Sequence, residues 1–157
     1  VKIPSSSLKH RYIQTVSQIN NNDSDPRKYI WKEGVLVIKK NWVFGHGIGD
    51  AKEKLMERYY KLEKKHSYFL KKQYNFHNQY LETFAAIGIF GLFFLCLTFI
   101  YGIFFSIKKQ NYFLTAFLII VSVSFLTESM LQRQAGVVFF GFFYVFLIQN
   151  AIQNKLV

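Results

Sequence analysis

The stretch "FAAIGIFGLFFLCLTFIYGIFFSI", residues 84–107, decides the fold class of this chain. It contains 24 residues without a single Asp, Glu, Lys or Arg. As a helix that rises 1.5 Å per residue it is about 36 Å long, enough to cross a hydrocarbon core of roughly 30 Å. The stretch therefore predicts a membrane-spanning helix.

Two further apolar segments follow toward the C-terminus. The uncharged run 112–127 stops at Glu128, and residues 136–152 again lack charge. We predict three spans at about 84–107, 112–131 and 136–152, with connectors "KKQN" (108–111) and "ESMLQRQA" (128–135). The expected fold is an all-α membrane protein with its transmembrane region at residues 83–157.

Charged residues are concentrated before the first span. The first 80 residues carry 16 of the 20 Lys+Arg and 7 of the 9 Asp+Glu, which leaves 4 and 2 for the rest. Short cationic loops stay in the cytoplasm, so Lys108 and Lys109 place the first connector inside. Residues 1–82 then lie outside as a helical, partly irregular loop segment. Because the chain begins at Val1 without an initiator Met, we expect a fragment of a larger polytopic protein.

Periodicity predicts two helices within this outer segment. "RKYIWKEGVLVIKKNW" (27–42) follows a candidate cap at Asp25, and "AKEKLMERYYKLEKKHSYFLKK" (51–72) has one apolar stripe on a charged helix. In the second helix Glu57 and Lys61 stand in the favoured i,i+4 order. Three glycines at alternate positions in "FGHGIGD" (44–50) predict a structural turn between the helices. The apolar positions expected on the first helix are Ile30, Trp31, Val35, Ile38 and Trp42.

His77 is the first candidate for chemistry, because it lies just before the first span in "YNFHNQYLET" (74–83). Imidazole changes charge near neutral pH and often serves as a general base. With a helix from about residue 75, His77 shares a face with Tyr80 and Leu81, and Asn78 and Glu82 form a neighbouring polar face. The alternative is an interfacial anchor within an aromatic belt.

Three other charged residues are candidates near the same membrane surface. Arg27 precedes Trp31 by one helical turn, and its guanidinium suits bidentate capture of phosphate, although one Arg among many cations is ordinary. Glu128 and Arg133 lie in the outer turn and would join His77 at a cavity rim, or else belong to a solvated loop. Histidine spacing and the single cysteine predict neither a metal site nor a disulfide.

Four motifs occur in an order that resembles a known family. "RKYIW" (27–31), "NWVFGHGIGD" (41–50), "HNQYLE" (77–82) and "GIFG" (88–91) together are similar to the C-terminal half of the O-antigen ligase and polymerase family. The resemblance covers about residues 25–95. Each motif alone is weak, and their order and spacing carry the likeness.

The resemblance implies a multi-pass glycosyltransferase of the GT-C type in the bacterial inner membrane, with residues 1–82 in the periplasm. Such enzymes take a glycan from undecaprenyl pyrophosphate and need no cofactor or metal. The acceptor is lipid A–core for ligases and another lipid-linked glycan for polymerases. By this likeness His77 matches the family's essential histidine and Arg27 its pyrophosphate-binding arginine. Position near the same membrane surface, and not the likeness, predicts Asn78, Glu82, Glu128 and Arg133 at the cavity rim.

The sequence leaves a non-enzymatic alternative open. A membrane protein whose basic helix 51–72 binds anionic lipid would have the same composition, although such lipid attracts cations mainly at the cytoplasmic leaflet. A transporter half is disfavoured, because the predicted spans carry no charge at their centres. Nucleic-acid binding is not expected, because no groove-reading fold is legible.

Overall fold

The computed structural model describes residues 26–61 and 73–153. This part of the chain contains helices and no strand. The predicted cap at Asp25 and the second half of the predicted helix 51–72 lie outside the described residues. The helices are α1 (Pro26–Ile38), α2 (Asp50–Lys61), α3 (Gln79–Lys108), α4 (Tyr112–Thr127) and α5 (Gln134–Gln153), with a 3₁₀ turn at Met130–Gln132 before α5.

Helices α1 and α2 pack against the beginning of α3 around one apolar core. This outer core is formed mainly by Ile30, Val37, Leu55, Tyr59, Phe76 and Ala85. The predicted stripe on α1 was partly wrong: Val37 is buried, whereas Val35 is exposed and Trp42 lies beyond the end of the helix. Trp42 lies outside the helix because α1 ends at Ile38. Val35 is exposed because the face of α1 that packs is the one around Ile30 and Val37.

An ion pair and an aromatic pair reinforce the contact between α1 and α2. Arg58 donates from Nε and from Nη2 to Oε2 of Glu33, at 3.0 and 2.8 Å, and Glu33 is buried. Tyr29 and Tyr59 stack beside it, and burial raises the pKa of both phenols. On the exposed face Glu57 pairs with Lys54 at 2.5 Å, one turn before it, in addition to lying near the predicted partner Lys61.

Helix α3 is interrupted at Gly88, a break that the uncharged run 84–107 does not predict. Gly88 has φ 77° and ψ −163°, so the predicted first span is broken near its N-terminal end. The glycine turn between α1 and α2 fills the break. His46 N–H donates to Ala85 O at 2.8 Å, Gly47 N–H to Ala86 O at 2.9 Å, and Ile89 N–H to Trp42 O at 2.9 Å. The turn thus satisfies backbone groups that the broken helix leaves unpaired, which apolar surroundings make necessary.

The long helices form a second apolar core. It consists of Phe99 from α3, Leu114, Leu118, Val121 and Phe125 from α4, and Ala151 from α5. Tyr80 links α3 to α4 with an O–H donated to Ser122 O at 3.1 Å. Much of the remaining surface of α3 and α5 is apolar and exposed, for example Phe94 and Phe142. Such surfaces are typical of helices that face lipid or other spans.

Two of the three predicted spans correspond to helices that are long and apolar enough to cross a membrane, α3 and α5. Helix α4 is apolar but has 16 residues, about 24 Å, so the second predicted span, 112–131, stays a prediction. It ends at Thr127 and not at 131, because the chain turns at Glu128 into the 3₁₀ segment. Helix α3 ends at Lys108, and Asn111 caps α4 by accepting from Leu114 N–H at 3.0 Å, so the connector is residues 109–111, one residue shorter than predicted.

Candidate functional site

The segment 73–78 carries His77 and is fixed to α1 by Phe76. The Phe76 ring is fully buried, and its carbonyl accepts a hydrogen bond from the Trp31 indole at 3.1 Å. Gly34 makes room for the ring, since a Cβ there would lie 2.8 Å from Phe76 Cδ1. Arg27 is partly exposed one turn before Trp31. Helix α1, which carries the candidate phosphate-binding residue Arg27, is therefore attached to Phe76, the residue before the candidate base His77.

His77 lies outside the helix, which corrects the predicted face shared with Tyr80 and Leu81. Helix α3 begins at Gln79 with Asn78 as its cap. His77 has a backbone φ of 46°, which residues with a Cβ rarely adopt. Its N–H donates to Asn75 Oδ1 at 3.1 Å, and its ring lies 5.5 Å from that of Tyr74. Strained backbone of this kind is concentrated at functional sites.

The structure brings His77 and Glu128 together. Nδ1 of His77 lies 3.6 Å from Oε2 of Glu128, within the range of an ion pair and slightly beyond that of a hydrogen bond. A carboxylate beside one ring nitrogen favours a proton there and leaves the other nitrogen as the acceptor. Both side chains reach solvent, at 26% and 49% relative exposure. The pair can therefore act as an oriented base that is open to a substrate.

Asn78 and Glu82, predicted at a cavity rim, are both buried, and Glu82 lines the polar end of the groove described below. Asn78 Oδ1 accepts from Leu81 N–H at 3.0 Å and its amide donates to Leu126 O at 3.1 Å. Glu82 accepts from Phe76 N–H and from the Ser129 hydroxyl, both at 3.4 Å, and from the Gln132 amide. These two residues thus join the start of α3 to the end of α4 and the following turn.

Arg133 lies in the same outer turn as Glu128, with an exposed side chain. Its N–H donates to Met130 O at 3.2 Å, which closes the 3₁₀ turn. The glutamines at this level were not singled out from the sequence. Gln79 Oε1 accepts from Leu131 N–H at 2.7 Å, and Gln132 Oε1 accepts from the Asn75 amide at 2.7 Å. The sequence signal for Gln79 is a cluster of amides beside the histidine, and Gln132 has none.

A groove of about 840 Å³ runs from this polar layer along α3. The end of the groove at the start of α3 is polar, and the rest is walled by apolar side chains of α3 between Ile87 and Thr98. Neither His77 nor Arg27 lines it, whereas Glu82 does, and Glu82 accepts a hydrogen bond from Phe76 N–H, next to His77. The lining includes Lys52, Gln79, Glu82 and Gln132 at the polar end and Ile87, Phe90, Phe94, Leu95 and Thr98 below.

Within residues 26–61 and 73–153, no three His, Cys, Asp or Glu side chains are grouped so that they could hold a metal ion. His77 beside Glu128 is suited to base catalysis by an oriented imidazole, and Lys52 in the groove lining is a cation that can attract an anionic group.

Comparison with known proteins identifies the family. The model of the family described as O-antigen ligase matches residues 5–96, more than half of the chain, and includes Arg27, the glycine turn, His77 and Glu82. The comparisons with curated proteins and with solved structures gave no match. The family match confirms the resemblance that the ordered motifs indicated. This chain therefore belongs to the O-antigen ligase family.

Proposed function

We propose that this chain is the part of a membrane glycosyltransferase that transfers a glycan from undecaprenyl pyrophosphate to lipid A–core at the periplasmic face of the bacterial inner membrane. The observation that carries the proposal is the His77–Glu128 contact at 3.6 Å, beside the outer end of a helix long enough to span the bilayer. Family membership supports the reaction class.

His77 acts as the general base in this proposal. Glu128 holds the proton of the imidazole on Nδ1, and Nε2 takes the proton of the acceptor hydroxyl. The acceptor oxygen bonds to the anomeric carbon while the bond from that carbon to the pyrophosphate oxygen breaks. Undecaprenyl pyrophosphate leaves with the electron pair. A positioned base contributes typically ~10²–10⁴-fold to such a step.

Arg27 binds the pyrophosphate. The leaving group gains negative charge as the sugar departs, and a fixed guanidinium stabilises that charge without a metal ion. Arg27 belongs to α1, which Trp31 ties to Phe76 at 3.1 Å, so its helix and His77 belong to one packed unit. Lys52, at the polar end of the groove, adds a second cation to the surface that attracts the donor.

The shape of the groove supports the proposal that the substrate is lipid-linked. Its polar end lies at the level of Glu82 and its apolar wall continues along α3 to Thr98. A lipid-linked glycan needs such a surface, because its hydrocarbon chain stays in the bilayer while its sugar is in water. The same arrangement serves a polymerase, in which the acceptor is a second lipid-linked glycan.

The test is glycan transfer by the full-length protein with His77→Ala or Arg27→Ala. Lys28→Ala is the matched control, since Lys28 is the exposed neighbour of Arg27 on the same helix. Each of the first two changes should abolish transfer, and the control should retain it. Full transfer by both variants would refute the proposal. Supplying lipid A–core or a second lipid-linked glycan as acceptor separates ligase from polymerase.

A further inference from the structure

Glu82 lies behind the His77–Glu128 pair and contacts the neighbours of both residues. Its Oε2 accepts from the N–H of Phe76, the residue before His77, and from the hydroxyl of Ser129, the residue after Glu128. Its Oε1 accepts from the Gln132 amide. At 5% relative exposure this carboxylate is buried. One side chain therefore links two segments that are distant in sequence and that carry the two members of the pair.

Two other hydrogen bonds also join the 75–82 segment to the outer turn. The amide of Asn75 donates to Gln132 Oε1 at 2.7 Å, and Leu131 N–H donates to Gln79 Oε1 at 2.7 Å. Gln132 thus donates to Glu82 and accepts from Asn75. The outer turn is held by side chains from the 75–82 segment, and Glu82 is the carboxylate among them.

We infer that Glu82 is a positioning residue, which sets the distance between the imidazole of His77 and the carboxylate of Glu128 by clamping the 128–132 turn to the backbone at Phe76. The role rests on the proposed function of His77 as the base. None of the described hydrogen bonds joins the Glu82 side chain to the side chain of His77 or of Glu128. Its removal changes their geometry and leaves both side chains present.

The geometry of the carboxylate suggests a sharp test, the reciprocal exchange of Glu82 and Gln132. In Glu82→Gln alone, the new amide nitrogen at the Oε1 position faces the Gln132 amide, so two donors meet. Adding Gln132→Glu restores a donor–acceptor pair in reversed order with the same net charge. In this double variant the amide oxygen introduced at position 82 can still accept from Phe76 and Ser129. The second carboxylate oxygen introduced at position 132 can still accept from Asn75.

The activity measurement uses the full-length protein and steady-state kinetics of glycan transfer. Glu82→Gln should lower kcat by about 10²-fold, the effect of a small misplacement of catalytic groups, with KM for the donor little changed. The double variant should recover most of kcat. Glu57→Gln, an exposed carboxylate on α2, is the matched control and should behave as wild type. Unchanged kcat in Glu82→Gln, or a double variant no better than the single one, would overturn the inference.

A second measurement does not depend on the proposed function. Trypsin should cut after Arg133 faster when the outer turn detaches, because local opening frees the backbone for the protease, and the fragment that starts at Gln134 identifies the cut. In detergent-solubilised full-length protein, Glu82→Gln should speed this cut and the double variant should slow it again. An Arg133→Gln background should lack the fragment. An unchanged cutting rate in Glu82→Gln would overturn the clamp. If wild type lacks transferase activity, the proposed function fails while this assay still decides the inference.

Discussion

Gly45 and Gly88 lie against each other with no side chain between them. A Cβ on Gly45 would lie 2.6 Å from Gly88 N, and a Cβ on Gly88 would lie 2.8 Å from Gly45 N and 2.1 Å from Val43 O. Both residues have positive φ, 73° and 77°. The close approach permits the hydrogen bonds that fill the break in α3, and it places the glycine turn beside the entrance to the first span.

Gly88→Ala should therefore lower the free energy of unfolding by about 3 kcal/mol or more, since the positive φ and the backbone contact both oppose a Cβ. Gly141→Ala is the control, because nothing lies within 4 Å of a Cβ there and the helix favours alanine. Thermal unfolding of the purified protein measures the difference. Equal melting temperatures for the two variants would contradict the contact.

Arg58→Ala should destabilise the outer core by about 3 kcal/mol, because it leaves the buried Glu33 carboxylate without the guanidinium that donates twice to its Oε2. Lys54→Ala, which removes the partner of the exposed Glu57, should change stability little, since solvent screens that pair. Thermal unfolding of both variants is the measurement. A Lys54 effect as large as the Arg58 effect would speak against the packing of α1 on α2.

The strained backbone of His77 predicts an unusual order of stability. At φ 46° an alanine costs roughly 1–2 kcal/mol more than glycine, so His77→Gly should be more stable than His77→Ala. Both should lose transfer, because both lack the imidazole. Melting temperatures and activity of the same preparations give the test. A more stable alanine variant would show that the residue adopts an ordinary backbone conformation.

Glu128→Gln should lower kcat by about 10²-fold, since the neutral amide no longer favours the proton on Nδ1 of His77. Arg133→Gln lies in the same exposed turn and should reduce kcat far less. Steady-state transfer by both variants, at saturating donor, is the measurement. Comparable losses in the two would indicate a general charge effect of the turn and not the contact with His77.

Thr98→Trp should narrow the apolar part of the groove and raise KM for the lipid-linked donor by about tenfold, about 1.4 kcal/mol of binding, with kcat retained. Ile100→Trp is the control, since Ile100 is exposed on α3 outside the groove lining. The KM values of the two variants should be compared in the same detergent. A rise in KM for Ile100→Trp alone would place the lipid chain on the other face.

Local sequence was sufficient for the helical class, the long apolar helices, the turn at 44–50 and the family. Each depends on properties of neighbouring residues, such as an uncharged run, alternate glycines or motifs in a fixed order. It misplaced the end of α4 and the start of α3, because a polar side chain such as that of Asn78 can cap a helix as readily as extend it.

Tertiary structure alone decided how the site is assembled. The apolar character of residues 84–107 fixes a membrane helix, yet it does not reveal the break at Gly88, because the hydrogen bonds that make the break tolerable come from the turn at 42–47. Likewise, the sequence supplies His77, Glu82 and Glu128 as separate polar residues. Only packing of α4 against α3 brings the outer turn to the 75–82 segment. Glu82 is then buried between them, and a buried carboxylate needs the hydrogen bonds that it accepts from Phe76 and Ser129.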